Sequence, residues 1–366
     1  MLLSIVPIIP GGMHPLDDPA TYRWRDPGGM VGLVARFPAM GEEAWLLGMR
    51  LRLPAALEST AVAVLGMGGS GVGGDLLAAL LAPTFPVPVV VVKDSVLPAA
   101  VGPQTLLFAC SYSGETAETL AAYRAAKAAQ APAIVITSGG TLAAEAERHG
   151  DPLVRVPAGL PPRAALPYLF LPMVSALRRL THLGELSGEW REAAAVLRDL
   201  AAELGPEVPL ARNPAKRLAA TLGERTPAVY GASTALGAVA YRWKCQFNEN
   251  AKTLAHWGAF PEVNHNETVG WTDGAAAGRT AVVLLREPDE PEERRQRIGA
   301  TREVAFAGAA AVEEVVARGE GRLSRLLSLV LLGDFTSVYL ALLRGVDPTP
   351  VPVIDEVKRR VSGTPH

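Results

Sequence analysis

Glu249 and His265 are the residues whose types and setting suggest proton chemistry. Both lie in one polar stretch, QFNENAKTLAHWGAFPEVNHNETVGW, from Gln246 to Trp271. Glu249 falls late in a helical run that begins near Leu236. His265 follows after an aromatic, proline-broken connection. The neighbours of Glu249 are the amides Asn248 and Asn250, so an ion pair along the helix is not its obvious use. A carboxylate held by amides and kept partly dry would make a general base. The bland alternative is an exposed helix carboxylate. Imidazole titrates near working pH, which suits an acid–base role for His265. A metal set of His256, Glu262, His265 and Glu267 matches no compact ligand helix, so no metal is expected.

Upstream lie groups suited to holding an anion. SYSGET, Ser111 to Thr116, packs three hydroxyls around Gly114 at the start of a predicted helix. Helix-start N–H groups plus the hydroxyls of Ser111, Ser113 and Thr116 make a compact phosphate site. Capping alone needs one hydroxyl, and three are present. Glu115 would repel phosphate if it pointed inward, so it is expected to face solvent. Gly66, Gly68 and Gly71 satisfy G-x-G-x-x-G between a strand and a helix. That pattern fits a dinucleotide loop, a plain tight turn, or a sugar-phosphate loop with Ser70 as hydroxyl. The glycines alone do not choose. Arg163 opens a helix after two prolines at the end of the first sheet, where ligands gather, which suits charge stabilisation as well as a plain surface role. Lys358, in VIDEVKRR, reads by composition as a solvated lysine.

The elements that must position these groups follow from the pattern. The chain has 366 residues, 49% hydrophobic and 20% charged, which predicts two domains or one large one. Net charge is −2, giving no footprint for nucleic acid or an anionic membrane. Cys110 and Cys245 sit in apolar runs and read as reduced thiols of a cytoplasmic protein. MLLSIVPIIPGG is too short and lacks a basic lead for a signal peptide, and Met13 is an alternative start. Leu326 to Leu343 is apolar enough for a membrane span. Asp334 at its middle makes it a buried core helix instead.

The fold class is α/β. Residues 1–57 form an N-terminal arm with an amphipathic segment near Met30 to Leu53. Residues 58–184 alternate strands (AVAVLG, PVPVVVVKD, TLLFAC, AIVITS) with helices, the pattern of a parallel sheet covered on both faces. Residues 185–225 are bridging helices. Residues 226–366 repeat the scheme with TPAVYGAS, RTAVVLLRE and AVEEVVARG, the last a strand or short helix. They close with a long apolar helix from Ser324 and a short one from Val353 to Val361. Both units run strand, small-residue loop, helix, which suggests duplication.

The chain resembles the bifunctional phosphoglucose/phosphomannose isomerases of the sugar-isomerase-domain superfamily. The anchors run in order: LDDP, GMGGSGVGGD, VVKDSVLP, CSYSGETAET, LPPRAALPYL, KCQFNENAK, PEVNHNETVGW and DPTPVPVIDEVK, from about Leu16 to Val361. The resemblance implies two sugar-isomerase subdomains in a homodimer with a shared active site and no metal or nucleotide. It implies isomerisation of hexose 6-phosphates through a cis-enediol. Ser111, Ser113 and Thr116 would hold phosphate, and Gly69 and Ser70 would line the sugar. Glu249 would be the base and Arg163 would steady the anionic intermediate. His265, from the partner subunit, and Lys358 would serve ring opening. Apart from the resemblance, Thr349, near the C-terminal helix, is expected to shape the C2 end. Two departures, Glu115 and TLAHWGAF, bear on substrate preference. A non-catalytic phosphosugar sensor and a dinucleotide oxidoreductase are the alternatives; neither uses SYSGET, Glu249 and His265 at once.

Overall fold

Two parallel sheets, joined by a shared layer of helices, organise the chain. The computed structural model describes residues 13–53, 59–180 and 186–361. The N-terminal run MLLSIVPIIPGG and the expected boundaries at 57 and 184 lie outside the described residues.

The first sheet has order β2-β1-β3-β4-β5, all parallel. Its strands are β1 (Ala61–Leu65), β2 (Val89–Val92), β3 (Thr105–Cys110), β4 (Ala133–Thr137) and β5 (Leu153–Arg155). Side chains alternate between two buried faces. Val62, Val64, Leu106, Phe108, Ile134 and Ile136 join the main core. Ala63, Leu65, Leu107, Ala109 and Val135 join a second cluster with Leu120, Tyr123 and Leu142. Burial on both faces is why these strands read as continuous apolar runs. In this strand order the chain reverses direction between β1 and β3, opening a crevice at their carboxyl ends. The β1 loop carries the glycines and the β3 loop carries SYSGET, so both motifs face that crevice.

The second sheet has order β7-β6-β8-β9, also parallel. Its strands are β6 (Thr226–Gly231), β7 (His256–Ala259), β8 (Thr280–Arg286) and β9 (Ala311–Val316). AVEEVVARG is therefore a strand. The edge strand β7, drawn from TLAHWGAF, is one the sequence did not signal. It has four residues, two of them exposed, and no alternation.

The helix Gly68–Leu81 starts inside the glycine motif, several residues before the expected helical run. A Cβ at Gly69 would lie 3.0 Å from the Pro162 carbonyl oxygen, so glycine allows this first turn to press against the Arg163 segment. The helices Leu186–Leu204 and Pro214–Leu222 fill the bridging region. Trp190 of the first stacks on Trp45 of the arm at 5.3 Å.

The apolar helix Arg322–Leu343 runs through the middle of the molecule. It is long and apolar enough to cross a membrane, yet 94% of its apolar window is buried in the protein. Asp334, 2% exposed, meets Arg242, 1% exposed, with Nε–Oδ1 at 3.1 Å and Nη2–Oδ2 at 2.6 Å. The Gln246 amide donates to Oδ1 at 2.9 Å. Burial pushes the Asp334 carboxyl up, while Arg242 and Gln246 pull it back toward the ionised form.

Asp334→Asn strands the Arg242 guanidinium in the core without a counter-charge. The expected loss of unfolding free energy is about 3–5 kcal/mol, read from the urea midpoint. The double exchange Arg242→Met with Asp334→Leu removes both charges and should lose much less. A single exchange as stable as the unaltered protein would show that the pair is not carrying charge.

Candidate active site

The hydroxyl loop is tied to itself first. Ser111, 1% exposed, lies 2.9 Å Oγ to Oγ1 from Thr116 and accepts the Gly114 N–H at 3.1 Å. Ser113 is exposed and accepts the Glu115 N–H at 3.2 Å. Thr116 occupies the N-cap of the helix Ala117–Ala128, but its side chain makes no capping bond. Its hydroxyl turns to Ser111 instead, which leaves the first-turn amides for an anion. Gly114 has φ +74°, and a Cβ there would fall 2.0 Å from the Gly139 carbonyl oxygen.

Glu115 departs from expectation. It remains exposed but does not simply face solvent: Oε1 accepts the Thr141 N–H at 2.7 Å and Oε2 the Thr141 hydroxyl at 2.9 Å. Thr141 lies in the first turn of the helix Gly140–His149. The carboxylate therefore satisfies an orphan helix donor and is drawn off the anion loop.

Tyr112, which sequence reasoning passed over, links this loop to the arginine. Its hydroxyl donates to Pro157 O at 2.9 Å and accepts the Leu160 N–H at 2.7 Å. That fixes the strap leading to Pro161 and Pro162. Arg163 follows in a short 3-10 turn, against Gly69. Ser70 is buried in the same helical turn as Gly69.

Arg163 is 3% exposed and all its nitrogens are engaged. Nε donates to Asn250 Oδ1 at 2.6 Å; Nη2 donates to Pro348 O at 2.6 Å and to Thr349 O at 2.8 Å. Nη1 stands 3.6 Å from Glu249 Oε2, an ion pair rather than a hydrogen bond. Burial holds the guanidinium pKa below its usual value, while the Glu249 charge works the other way. Glu249 sits at the end of the helix Thr234–Asn250, its side chain 28% exposed. It has a positive neighbour yet keeps lone pairs open, as a base must.

The amides beside Glu249 do not hold it, contrary to expectation. Asn250 is fully buried, accepting from Arg163 and donating to Ser337 Oγ at 2.9 Å. Asn248, with its amide turned to satisfy both ends, donates to Lys244 O and Thr253 O. These amides build the frame around Arg163 and the helix end.

His265 and Lys358 are not brought to this cluster within one chain. His265 ends the 3-10 turn Glu262–His265 and is exposed. Lys358 is exposed on the helix Pro352–Val361, which buries none of its residues. Thr349 does reach the cluster through its carbonyl, and its Oγ1 is buried without a hydrogen-bond partner. A cavity of about 510 Å³ lies between Lys93, Tyr241, Trp257 and Glu267. Its lining contains none of Arg163, Glu249 or the hydroxyl loop. Both cysteines are free thiols, and burial pushes the Cys110 pKa up to about 12. Among the described residues there is no group of three or more His, Cys, Asp or Glu able to hold a metal ion.

The SIS domain family matches residues 58–157. The bacterial phospho-glucose isomerase C-terminal SIS domain family matches residues 211–361. The bifunctional phosphoglucose/phosphomannose isomerase of Caldicellulosiruptor bescii is 38% identical over 335 residues, 91% of this chain and 99% of that protein. The protein so named from Thermoplasma acidophilum is 36% identical, covering 82% of this chain and 89% of its own. Among solved structures, a glucose-6-phosphate isomerase like protein from Thermus thermophilus superimposes with TM-score 0.62 at 24% identity. It covers 95% of this chain and 99% of its own, and bears out the fold.

Gly114→Ala forces a side chain into a left-handed position against the Gly139 carbonyl. It should destabilise the protein by about 1–3 kcal/mol and weaken binding of inorganic phosphate in a calorimetric titration. Unchanged stability and phosphate affinity would show that the loop does not need this turn.

Proposed function

This chain belongs to the bifunctional phosphoglucose/phosphomannose isomerase family and isomerises hexose 6-phosphates, and we propose that Glu249 carries the proton while Arg163 carries the charge. The observation that supports this reading most is the 3.6 Å pair of Glu249 with Arg163, in the turn that packs against Gly69.

The substrates are glucose 6-phosphate and fructose 6-phosphate, with mannose 6-phosphate as a further aldose. Phosphate docks on Ser111, Ser113, Thr116 and the first-turn amides, while Gly69 and Ser70 line the sugar. Binding energy from the phosphate, remote from the reacting carbons, positions them for reaction. Glu249 takes the C2 proton of the open-chain aldose. The C–H electron pair becomes the C1–C2 double bond as the C1 carbonyl oxygen takes on charge, giving a cis-enediolate, the deprotonated cis-enediol. The O2 proton passes to O1, and Glu249 returns its proton to C1 as the C1–C2 double bond opens and O2 becomes the ketose carbonyl. Arg163 offsets the charge on these oxygens. No metal or nucleotide enters this scheme. Thr349 shapes the C2 end.

His265 and Lys358 open the sugar ring, with His265 delivered by a second copy of the chain. Its exposure, with no hydrogen bond or ion pair to Arg163 or Glu249 within one chain, supports a homodimer with a shared site. A cytoplasmic location belongs to the same proposal and rests on the two free thiols.

Glu249→Gln keeps the shape and removes the base. Turnover of glucose 6-phosphate and mannose 6-phosphate, assayed with EDTA present, should fall roughly 10²- to 10⁴-fold or more. Calorimetric binding of fructose 6-phosphate should persist. Turnover within tenfold of the unaltered protein would remove Glu249 from the base role, and collapse of unaltered activity in EDTA would overturn metal independence.

A further inference from the structure

Lys252 is a charged residue that the proton-transfer scheme leaves unused, and its geometry is unusual. It lies just past the end of the catalytic helix with φ +53°, one of two residues other than glycine with positive φ among those described. L residues rarely adopt this left-handed conformation, and they cluster at functional sites when they do. The turn folds the lysine back on its own helix. Nζ donates to the backbone oxygen of Glu249 at 2.5 Å and to Pro348 O at 3.0 Å. Pro348 O is also the acceptor of Arg163 Nη2. One carbonyl therefore receives both cations of the site, and one ammonium joins the base's own residue to the loop that holds Arg163.

We propose that Lys252 is a positioning residue for the isomerisation, its ammonium clamping the Glu249 helix end to the Pro348 loop and thereby setting the separation of Glu249 and Arg163. This rests on the proton-transfer role given to Glu249. The clamp is charge-assisted, so it is strongest while the lysine is protonated. The charged groups facing it are Arg163 from the turn, Asp347 from the loop and Glu249 from the helix. Burial, with Arg163 second, pushes the Lys252 pKa down to about 8, against the opposing pull of Asp347 and Glu249. Protonation is then lost within the working range of an enzyme assay. The stability effect has the opposite sign. Between about 8 and the ordinary lysine value the unfolded chain binds a proton that the folded one lacks, so this group favours folding more as pH rises. A fall in activity over that window is therefore not unfolding caused by Lys252.

The experiment is the pH profile of kcat and KM for fructose 6-phosphate in three proteins. Unaltered protein should show an alkaline limb in kcat near pH 8 with KM nearly constant, because phosphate is held elsewhere. Lys252→Arg stays charged and should move that limb upward by a unit or more while retaining most activity. Lys252→Met should lower kcat at pH 7 by roughly ten- to a hundredfold, abolish the limb and leave KM within about twofold. A Lys252→Met protein with unchanged kcat and the same limb would overturn the proposal, as would an equal loss in Lys252→Arg and Lys252→Met. A readout independent of turnover separates this from the isomerase reading. In NMR of the ¹³C-methylated protein, the signal missing from Lys252→Met should titrate near pH 8, and titration above pH 10 would overturn the depressed-lysine clamp. Absence of turnover by unaltered protein at every pH, with that signal near 8, would instead count against the isomerase reading.

Discussion

A carboxylate buried at the centre of an apolar helix is the constraint on which the site rests. Asp334 sits among leucines of Arg322–Leu343, where an unpaired charge is not tolerated. Arg242 answers it, and the same guanidinium donates through Nη2 to the backbone oxygen of Arg163 at 2.9 Å. Three residues further along the core helix, Ser337 accepts from Asn250, and Asn250 accepts from Arg163 Nε. Arg163 is thus suspended from the core helix by two routes, one through its main chain and one through its side chain. A guanidinium fixed this way has little freedom to reorganise when charge appears beside it, which is the condition for electrostatic stabilisation of an intermediate.

On the proposed reading, binding and chemistry come from different halves of the chain, and the topology fits that division. The crevice between β1 and β3 offers backbone amides and small hydroxyls, suited to an anion and poor in groups that transfer protons. The second sheet delivers its helix Thr234–Asn250 with the carboxylate in the last turn, nearest the loops rather than mid-core. The helix Gly68–Leu81 packs on Thr234–Asn250, so the two halves meet along their own helices. Under the proposed assignment, separating the handle from the reacting end lets binding energy position the substrate without sequestering the base.

What the sequence made legible, and what it hid, divides along physical lines. The inner strands were legible because burial on both faces leaves only apolar residues. Asp334 was legible because a charge in an apolar run needs a reason. SYSGET stood out because three hydroxyls exceed what a cap requires. The edge strand His256–Ala259 was hidden, since an exposed four-residue edge carries no periodic pattern. The uses of Glu115, Asn248 and Asn250 were hidden because their partners lie far along the chain or on its backbone. Glu115 looked like a liability for an anion loop until Thr141 drew it aside. Tyr112 and Lys252 act through carbonyls and an amide of other segments, and a main-chain partner leaves no mark in residue types. A lysine three residues after Glu249 reads as an ordinary surface charge until its backbone is seen to turn left-handed.

A single chain brings together the residues proposed to move a proton but exposes those assigned to opening the ring. Arg163 and Glu249 are set by contacts within the chain, whereas His265 stands on the surface beyond β7 and Lys358 on a helix with no buried face. That helix also exposes Val353, Val357 and Val361 at 75%, 56% and 84%. Apolar residues at helical spacing, with lysine and arginines between them, make an amphipathic face that water does not favour leaving open. On the proposed reading, association of two copies delivers His265. Association would complete the acid–base set while leaving the Arg163 frame undisturbed, because none of the frame's hydrogen bonds involves the Pro352–Val361 helix. The chemistry most sensitive to geometry is then built into each chain, and the step that tolerates a looser fit is left to the assembly.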